Sequence, residues 1–436
     1  MKAVIMAGGR GTRLAAVTSG IPKPMIKIDN IPVLEHEIMC LREQGIEDII
    51  ITVGFMYEKI IEYFGDGSQV SPVTGKPYGV HIEYYVEKEP LGNAGALFRI
   101  KEKLKEDFLL INADAMFDID FERFILFHRS KGGLVSIFTH PNDHPYDSAI
   151  IIADEDGRVK QWVTKEDLHP QFYRNRVNAG VHIVNPQILY NNVLEGKVDL
   201  DRQVLKPLVK TGKIYCYDSP EYVKDLGTPE RFNEVCKDYY CGKIKARNLK
   251  LKQKAVFLDR DGTINTYVGF LHTPDEFELI EGAASAIRTI NKLGYLAIVV
   301  TNQPVVARGE TSIEELNDIH NKMETLLGRE GAYVDAIYYC PHHPDAGYKG
   351  EIPELKIKCK CRKPNPGMLL KAAREFNLDL HESWMIGDQK SDVEAGIAAG
   401  CRTALISNEE VDFGQDFRVS SLAEFVTLFS NLKDGD

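Results

Sequence analysis

The 436-residue sequence has no apolar run approaching the roughly eighteen residues a bilayer core demands, which excludes a membrane-spanning helix. It also has no cationic excess. Its 53 Lys and Arg stand against 64 Asp and Glu, a net charge of −11, which disfavours nucleic acid or an anionic membrane as partner. A local basic site can still take small phosphates. Cysteine is scarce: eight residues are too few for a disulfide scaffold, and a reducing compartment keeps them as thiols. Short repeats and low-complexity tracts are missing, and Met1–Met6 runs into glycines instead of building a secretory signal. The expectation is a cytoplasmic protein. Its 44% apolar and 27% charged residues suffice to bury real cores, and its length suits two or three domains.

Charge marks one boundary. Residues 1–242 carry a net −6 and residues 255–436 a net −11, whereas 243–254 holds six cations and no acid. Such a stretch reads as a solvated basic linker between a domain at 1–242 and another at 255–436. Both halves read as α/β and Rossmann-like. Ala3–Met6, Ile49–Val53, Val80–Tyr85 and Phe108–Ile111 have strand composition, and Leu34, Ile38 and Leu41 have helical spacing. The second half repeats the rhythm with strands at Ala255–Leu258, Leu296–Val300, Ala336–Tyr339, Trp384–Ile386 and Thr403–Ile406. Helices are expected over Ala283–Leu293 and Ser312–Leu327, the latter opening on Ser312 and Glu315 at capping-box spacing. Alternation of this kind predicts mostly parallel sheets.

The first strand runs into Gly8-Gly9-Arg10-Gly11-Thr12-Arg13-Leu14, where glycines let backbone N–H groups approach phosphate oxygens and Arg13 adds a charged fork. No Lys-Ser/Thr follows for a P-loop, and Leu14 occupies the third glycine position of a dinucleotide fingerprint. The glycines alone fit a plain tight turn nearly as well, and Lys23 alone fits a surface lysine. Lys23, however, is framed by Pro22 and Pro24. The blocks Pro90-Leu91-Gly92-Asn93-Ala94-Gly95, Asn112-Ala113-Asp114, Asn178-Ala179-Gly180-Val181 and Asp225-Leu226-Gly227-Thr228-Pro229 then follow in order.

Over residues 1–240 this series resembles the sugar-1-phosphate nucleotidyltransferases. The resemblance implies nucleotide binding by Gly8, Gly9, Gly11, Thr12, Gly92 and Asn93, and Mg²⁺ held by Asp114 and Asp225. It implies pyrophosphate stabilisation by Arg13 and Lys23, and sugar-phosphate contact by Asn178, Gly180 and Lys165. Two positions depart from the family pattern: Thr164-Lys165-Glu166 replaces Glu-Lys-Pro, and Ala113 replaces a glycine. A sugar phosphate is already an anionic nucleophile, so alignment and charge neutralisation outweigh general base chemistry.

In the second half, Asp259 and Asp261 end a strand at i and i+2, on one side of extended chain, a spacing that suits a nucleophile and an acid/base partner. A simple acidic turn is the alternative for that motif taken alone. Thr301 and Asp388 end later strands, which converge on one edge of a parallel sheet, and Arg362-Lys363 brings cations. The set resembles the haloacid-dehalogenase-type phosphatases. By that resemblance Asp259 is the nucleophile and Asp261 the acid/base. Thr301 and Lys363 hold phosphoryl oxygens, and Mg²⁺ lies among Asp259, Asp261 and Asp388, with Asp392 in support. Cys340, His342, Cys359 and Cys361 supply three thiolates and an imidazole, a closed set for structural Zn²⁺.

The sequences flanking this clip resemble the heptose-1,7-bisphosphate phosphatase branch, with Arg308 and Arg362 as sugar-phosphate contacts. Histidinol-phosphate phosphatases share the clip, and Pro304-Val305-Val306 stands where the heptose branch has Ser-Gly-Ile. Removing one phosphate from a heptose bisphosphate leaves a sugar 1-phosphate, the acceptor class of the first half. The pair therefore resembles the GDP-heptose route, with GTP and heptose phosphates as expected partners. A hexose-1-phosphate nucleotidyltransferase joined to another phosphatase, or a non-catalytic nucleotide-sugar sensor, stays open on sequence alone. The oligomeric state is not legible.

Overall fold

The computed structural model describes residues 1–9, 20–191 and 194–434, and the chain divides into two compact units. Unit 1 comprises Met1–His140, Ala149–Val163 and Asn178–Asn248; unit 2 comprises Pro141–Ser148, Thr164–Val177 and Leu249–Asp436. Both are α/β.

The strands of the large sheet in unit 1 are β1 (Ala3–Ala7), β2 (Asp48–Val53), β3 (His81–Val86), β4 (Phe108–Asn112), β6 (Val135–His140), β7 (Ile150–Ala153), β8 (Val159–Val163), β9 (Val177–Val184) and β10 (Ile214–Asp218). Two more strands, β5 (Ala115–Asp118) and β11 (Tyr222–Asp225), form a separate antiparallel pair. The large sheet runs β8-β7-β9-β4-β1-β2-β3, with β6 joining β9 to β10. Strands β1, β2, β3 and β4 are parallel as expected, whereas β9 runs antiparallel to β4 and β8 antiparallel to β7. A turn in which the Gly157 N–H donates to the Asp154 carbonyl joins β7 to β8. Strand–helix alternation does not announce such a hairpin. The residues of β1 show why its sequence is apolar throughout: Ala3, Ile5 and Ala7 enter one core layer and Val4 the other, so both faces are covered. Helix α1 (Val33–Arg42) packs Leu34, Ile38 and Leu41 into the first layer at the expected spacing.

Unit 2 carries a six-stranded, all-parallel sheet. Its strands are β12 (Ala255–Leu258), β13 (Leu296–Asn302), β14 (Ala336–Cys340), β15 (Trp384–Gly387), β16 (Arg402–Ile406) and β17 (Phe417–Val419), in the order β14-β13-β12-β15-β16-β17. The chain enters at central β12, then builds outward on both sides. The C-terminal ends of β12, β13 and β15 thus flank the point where strand order reverses, the place such sheets bind ligands. Helices α2 (Ala283–Lys292), α3 (Ile313–Arg329) and α4 (Lys390–Ala399) connect the strands. The capping box on α3 is formed: Ser312 Oγ accepts from Glu315 N at 3.1 Å, and Glu315 Oε2 accepts from Ser312 N at 2.9 Å.

The expected linker differs in the structure. Lys243–Ala246 is helical, Ile244 is buried in a layer with Ile26 and Val235, and Arg247 and Asn248 are buried, so unit 1 continues to Asn248. Lysine stems can lie along apolar surface with their heads in water, so a basic run need not be solvated chain. The two excursions Pro141–Ser148 and Thr164–Val177 are equally unexpected. Within unit 2, Arg176 Nη1 lies 3.0 Å from Glu324 Oε2 on α3, with side chains 3% and 2% exposed, and Arg176 Nη2 donates to the Asp335 carbonyl at 2.9 Å.

Candidate active sites

In unit 1, Ala7 pairs with Val53 and Met6 with Asn112, so three parallel strands end side by side. A cavity of about 380 Å³ opens there, lined by Gly8, Gly9, Lys23, Gly92, Asn93 and Asp114, together with Thr52, Glu87, Asn112 and Gly227. Gly92 has φ +77°, and a Cβ there would sit 2.4 Å from the Val198 carbonyl, so the loop tolerates only glycine. Lys23 begins a short 3₁₀ turn between its prolines and is no ordinary surface lysine. Its side chain is 11% exposed, and its ammonium lies 2.5 Å from Asp114 Oδ2.

Asp225 lies opposite Ala115 in the β5–β11 pair, and Leu226 N donates to the Asp114 carbonyl at 2.8 Å, so the two candidate metal aspartates are neighbours across strands. Asp225 receives Arg231 Nη1 on both oxygens at 3.0 and 2.9 Å, and the Gly227 N–H at 2.8 Å. Each carboxylate therefore already faces a cation, and an incoming divalent ion competes with that cation.

Asn178, Gly180 and His182 share one face of β9 by their spacing of two. Asn178 Oδ1 accepts from His182 Nε2 at 3.0 Å and from Gly180 N at 3.1 Å, while its Nδ2 reaches Asp201 Oδ1 at 3.5 Å. Burial pushes the Asp201 carboxyl up to about 6, with the Asp199 charge adding to it, and burial lowers His182 to about 4. Period-two reading of β9 reaches His182; Asp201 gave no comparable signal. Lys165 lies, exposed, on the Thr164–Val177 segment of unit 2 and not among the cavity-lining residues of unit 1. Gly11, Thr12 and Arg13 lie outside the described residues.

In unit 2, Asp259 follows β12 directly, and its N–H donates to the Ile386 carbonyl at 2.9 Å. Lys363, with a side chain 2% exposed, lies 2.8 Å from Asp259 Oδ1 and 2.6 Å from Asp392 Oδ1, and donates to the Val300 carbonyl at 2.8 Å. Burial raises the Asp259 carboxyl to about 6 against the pull of Lys363; burial also opposes the Lys363 charge, but Asp259 and Asp392 outweigh it and hold the ammonium at about 12. Asp259, Asp388 and Asp392 bring carboxylate oxygens within 4.8 Å of one another. Asp388 Oδ1 is buried without a hydrogen-bond partner.

Asp261 is the most heavily bonded of the set. Arg260, fully buried, donates from Nη2 to both its oxygens at 3.0 and 2.9 Å, and Asn265 and Gln303 add bonds of 3.0 and 2.8 Å. Gln303 also donates to Thr301 Oγ1 at 2.9 Å, tying two expected site residues together. Arg260 Nη1 lies 3.2 Å from Nε2 of buried His320 on α3. Sequence reasoning missed the roles of Arg260, Gln303 and His320, because an arginine between two aspartates looks solvated.

The clip is assembled. Cys340, Cys359 and Cys361 sulfurs lie 3.2–3.4 Å apart, too far for a disulfide, and His342 Nδ1 lies 3.5 Å from Cys340 Sγ and 3.4 Å from Cys361 Sγ. The four form a compact set able to hold one metal ion. Arg362 Nη1 donates to the His342 carbonyl at 3.3 Å, which ties the clip to the residue before Lys363.

Carboxylates at the strand ends of two α/β sheets, each beside a lysine withdrawn from solvent, fit phosphoryl transfer at two centres. Comparison with known proteins names the classes. The Nucleotidyl transferase family matches residues 2–240, and the HAD-like hydrolases match 360–416. The D-glycero-beta-D-manno-heptose-1,7-bisphosphate 7-phosphatase of Photorhabdus laumondii is 40% identical over 185 residues, 41% of this chain and 96% of that protein. The Escherichia coli K12 protein of the same name is 39% identical over 176 residues, 39% of this chain and 90% of that protein. Among solved structures, HddC from Yersinia pseudotuberculosis aligns at 26% identity with a TM-score of 0.47, covering 55% of this chain and 99% of that one. The chain belongs to the nucleotidyl transferase family through its first half and to the HAD-type phosphatases through its second, and it is an enzyme of both kinds.

Proposed function

We propose that the two centres act in sequence on one sugar. Unit 2 removes the 7-phosphate of D-glycero-D-manno-heptose 1,7-bisphosphate, and unit 1 transfers a nucleotidyl group, GMP from GTP, to the heptose 1-phosphate that remains. The carrying observation is the 40% identity to a phosphatase of that name across 96% of its length, within a chain that is also a nucleotidyl transferase. The product of one reaction belongs to the acceptor class of the other.

In unit 2, Asp259 attacks the phosphorus, the bond from phosphorus to the sugar oxygen breaks, and Asp261 gives that oxygen its proton. Water then attacks the aspartyl-phosphate, Asp261 takes the proton of the water, and phosphate leaves as Asp259 is restored. Lys363 and Thr301 hold the phosphoryl oxygens. The oxygen-only donor set and the unpartnered Asp388 Oδ1 fit Mg²⁺, which supplies charge neutralisation on the phosphoryl group when bound. In unit 1, Asp114 and Asp225 are the residues that would hold Mg²⁺. A phosphate oxygen of the sugar phosphate attacks the α-phosphorus, and pyrophosphate departs against Lys23 and Arg13. The thiolate-rich clip fits Zn²⁺ in a structural role, with Cys340, His342, Cys359 and Cys361 as ligands.

The test is incubation of the full chain with heptose bisphosphate and each nucleoside triphosphate, with phosphate and nucleotide-sugar products identified. Preference for UTP or dTTP removes the guanylyl assignment. Asp259→Asn is expected to abolish phosphate release while sparing nucleotidyl transfer to supplied heptose 1-phosphate. Loss of both activities in a folded variant would contradict separate centres.

A further inference from the structure

Between Asp259 and Asp261 the chain places an arginine, and the fold buries it completely although it stands in the turn that follows β12. That turn is closely held. The Arg260 carbonyl accepts from Ile264 N at 2.8 Å and from Asn265 N at 3.1 Å, and Gly262 N donates to the Asn265 carbonyl at 2.8 Å. A Cβ on Gly262, at φ +83°, would fall 2.5 Å from Asp388 Oδ2, so the turn lies directly against that carboxylate. The Arg260 guanidinium folds back onto Asp261, and α3 closes the far side, with Arg260 Nη1 3.2 Å from His320 Nε2. A guanidinium only donates, so this imidazole nitrogen accepts and carries no proton. Arg308 is placed differently. Its guanidinium stacks 4.1 Å from the centroid of Phe270 and 4.6 Å from that of Tyr348, and it pairs with no carboxylate among the described residues.

The fork of Arg260 fixes the plane of the Asp261 carboxyl group. Oδ1 accepts from Arg260 Nε at 3.1 Å, Arg260 Nη2 at 3.0 Å and Asn265 Nδ2 at 3.0 Å. Oδ2 accepts from Arg260 Nη2 at 2.9 Å and Gln303 Nε2 at 2.8 Å. Turning the group about its Cβ–Cγ bond breaks the charge-assisted fork. The two oxygens are not equivalent. Three donors saturate Oδ1, two of them from a buried cation. Oδ2 is freer, because the neutral Gln303 amide has a second acceptor in Thr301 Oγ1, at 2.9 Å, and can leave Oδ2 without being stranded. Burying a guanidinium is costly, and its carboxylate partner among the described residues is the group the reaction needs aligned.

We propose that Arg260, backed by His320, is the positioning residue that holds Asp261 so that Oδ2 carries the transferred proton. As an Asp259 oxygen bonds to phosphorus, the bond from phosphorus to the sugar oxygen breaks with its electron pair on that oxygen, and the proton of Oδ2 joins it. Arg260 touches no substrate atom and acts through Asp261. Misplacing a reacting group by about 1 Å can cost about a hundredfold in rate. The loss depends on the leaving group. A sugar alkoxide needs a proton as it departs, whereas 4-nitrophenolate is stable without one. Misalignment of Asp261 therefore slows departure of the sugar and spares that of 4-nitrophenolate, while a general loosening of the site slows both. This inference rests on the phosphatase reading of unit 2 and on Asp261 as its acid.

The experiment compares heptose 1,7-bisphosphate with 4-nitrophenyl phosphate, in the presence of Mg²⁺, for the full chain and for Arg260→Met, Arg260→Lys and Asp261→Asn. The ratio kcat/KM reports the steps up to cleavage of the ester and leaves out the later hydrolysis of the aspartyl-phosphate. In Arg260→Met it is expected to fall about tenfold to a hundredfold toward the bisphosphate and to stay within about threefold toward 4-nitrophenyl phosphate. On the second substrate kcat is still expected to fall, with a burst of 4-nitrophenolate, because hydrolysis needs Asp261 as base. Arg260→Lys, which keeps the charge but loses the fork, is expected between the unaltered chain and Arg260→Met, and Asp261→Asn sets the limit. Equal losses toward both substrates, or no loss toward the bisphosphate, overturn the positioning role. Should Arg260→Met fail to fold, Arg260→Lys and His320→Leu, which removes the acceptor behind the guanidinium, carry the same comparison, and equal losses there overturn it too. If the unaltered chain releases phosphate from neither substrate, the phosphatase reading fails, and this inference with it. A working phosphatase whose variants ignore the leaving group refutes the positioning role alone.

Discussion

Lys363 is the cation on which the buried carboxylates of unit 2 depend. Its ammonium is within 2.8 Å of Asp259 and 2.6 Å of Asp392, whose side chains are 10% and 1% exposed. Replacing it by Met leaves two carboxylates facing each other in a dry site with their shared counter-charge gone. Removing one partner of a buried pair costs about 3–5 kcal/mol, a large part of the roughly 5–15 kcal/mol that holds a domain folded. Asp392→Asn in the same background removes one of the stranded charges, and its amide oxygen can still accept from Gln389 N, as Asp392 Oδ2 does at 3.0 Å. The double variant is therefore expected to be more stable than the two single losses summed, by about 0.5–3 kcal/mol. The assay is urea unfolding followed by tryptophan emission. The chain has two tryptophans, and Trp162→Phe leaves Trp384 on β15 as the reporter for unit 2. Additivity within about 0.5 kcal/mol, or a loss below about 1 kcal/mol in Lys363→Met, would refute the ion-pair argument.

Other outcomes follow from the same geometry. Burial, with Arg260 beside it, holds His320 neutral well below its ordinary range. The unfolded chain therefore takes up a proton that the folded chain refuses, and stability at this residue is lost as pH falls below about 6.5. His320→Gln is expected to flatten that acid limb in urea titrations between pH 5 and 8; an unchanged slope would remove His320 as its source. Metal analysis of the purified chain is expected to find about one tightly held zinc, lost in Cys359→Ser together with thermal stability of unit 2. A zinc-free chain of unchanged stability would sink the clip.

The sequence was most informative where local physics sets the answer. Parallel strands buried on both faces must be continuously apolar, so β1, β12 and β13 were readable to within a residue or two. The Ser312–Glu315 box was readable because capping is a matter of spacing. Asp259 and Asp388 were expected at strand ends of one sheet edge, and the structure brings their carboxylates together. What escaped depends on distant packing. Arg260 looks like a surface residue until the fold closes α3 and His320 over it. Lys243–Ala246 looks solvated until Ile244 finds its layer. The antiparallel strands β7 and β8 were missed because a hairpin leaves no helix between its strands, and Asp201 owes its shift to burial that no spacing reveals.

Unit 2 is discontinuous in sequence. Pro141–Ser148 and Thr164–Val177 fall inside the span matched by the nucleotidyl transferase family, yet they belong to the compact body of the phosphatase. Arg176, brought by the second of these, is the buried counter-charge of Glu324. A gene cut after residue 248 would thus not give two whole proteins. The downstream piece would carry Glu324 without its cation, and the upstream piece would carry two segments stripped of their packing partners. In this chain a reading frame cannot be divided where the chemistry divides, and separating the two activities calls for point substitution and not for scissors.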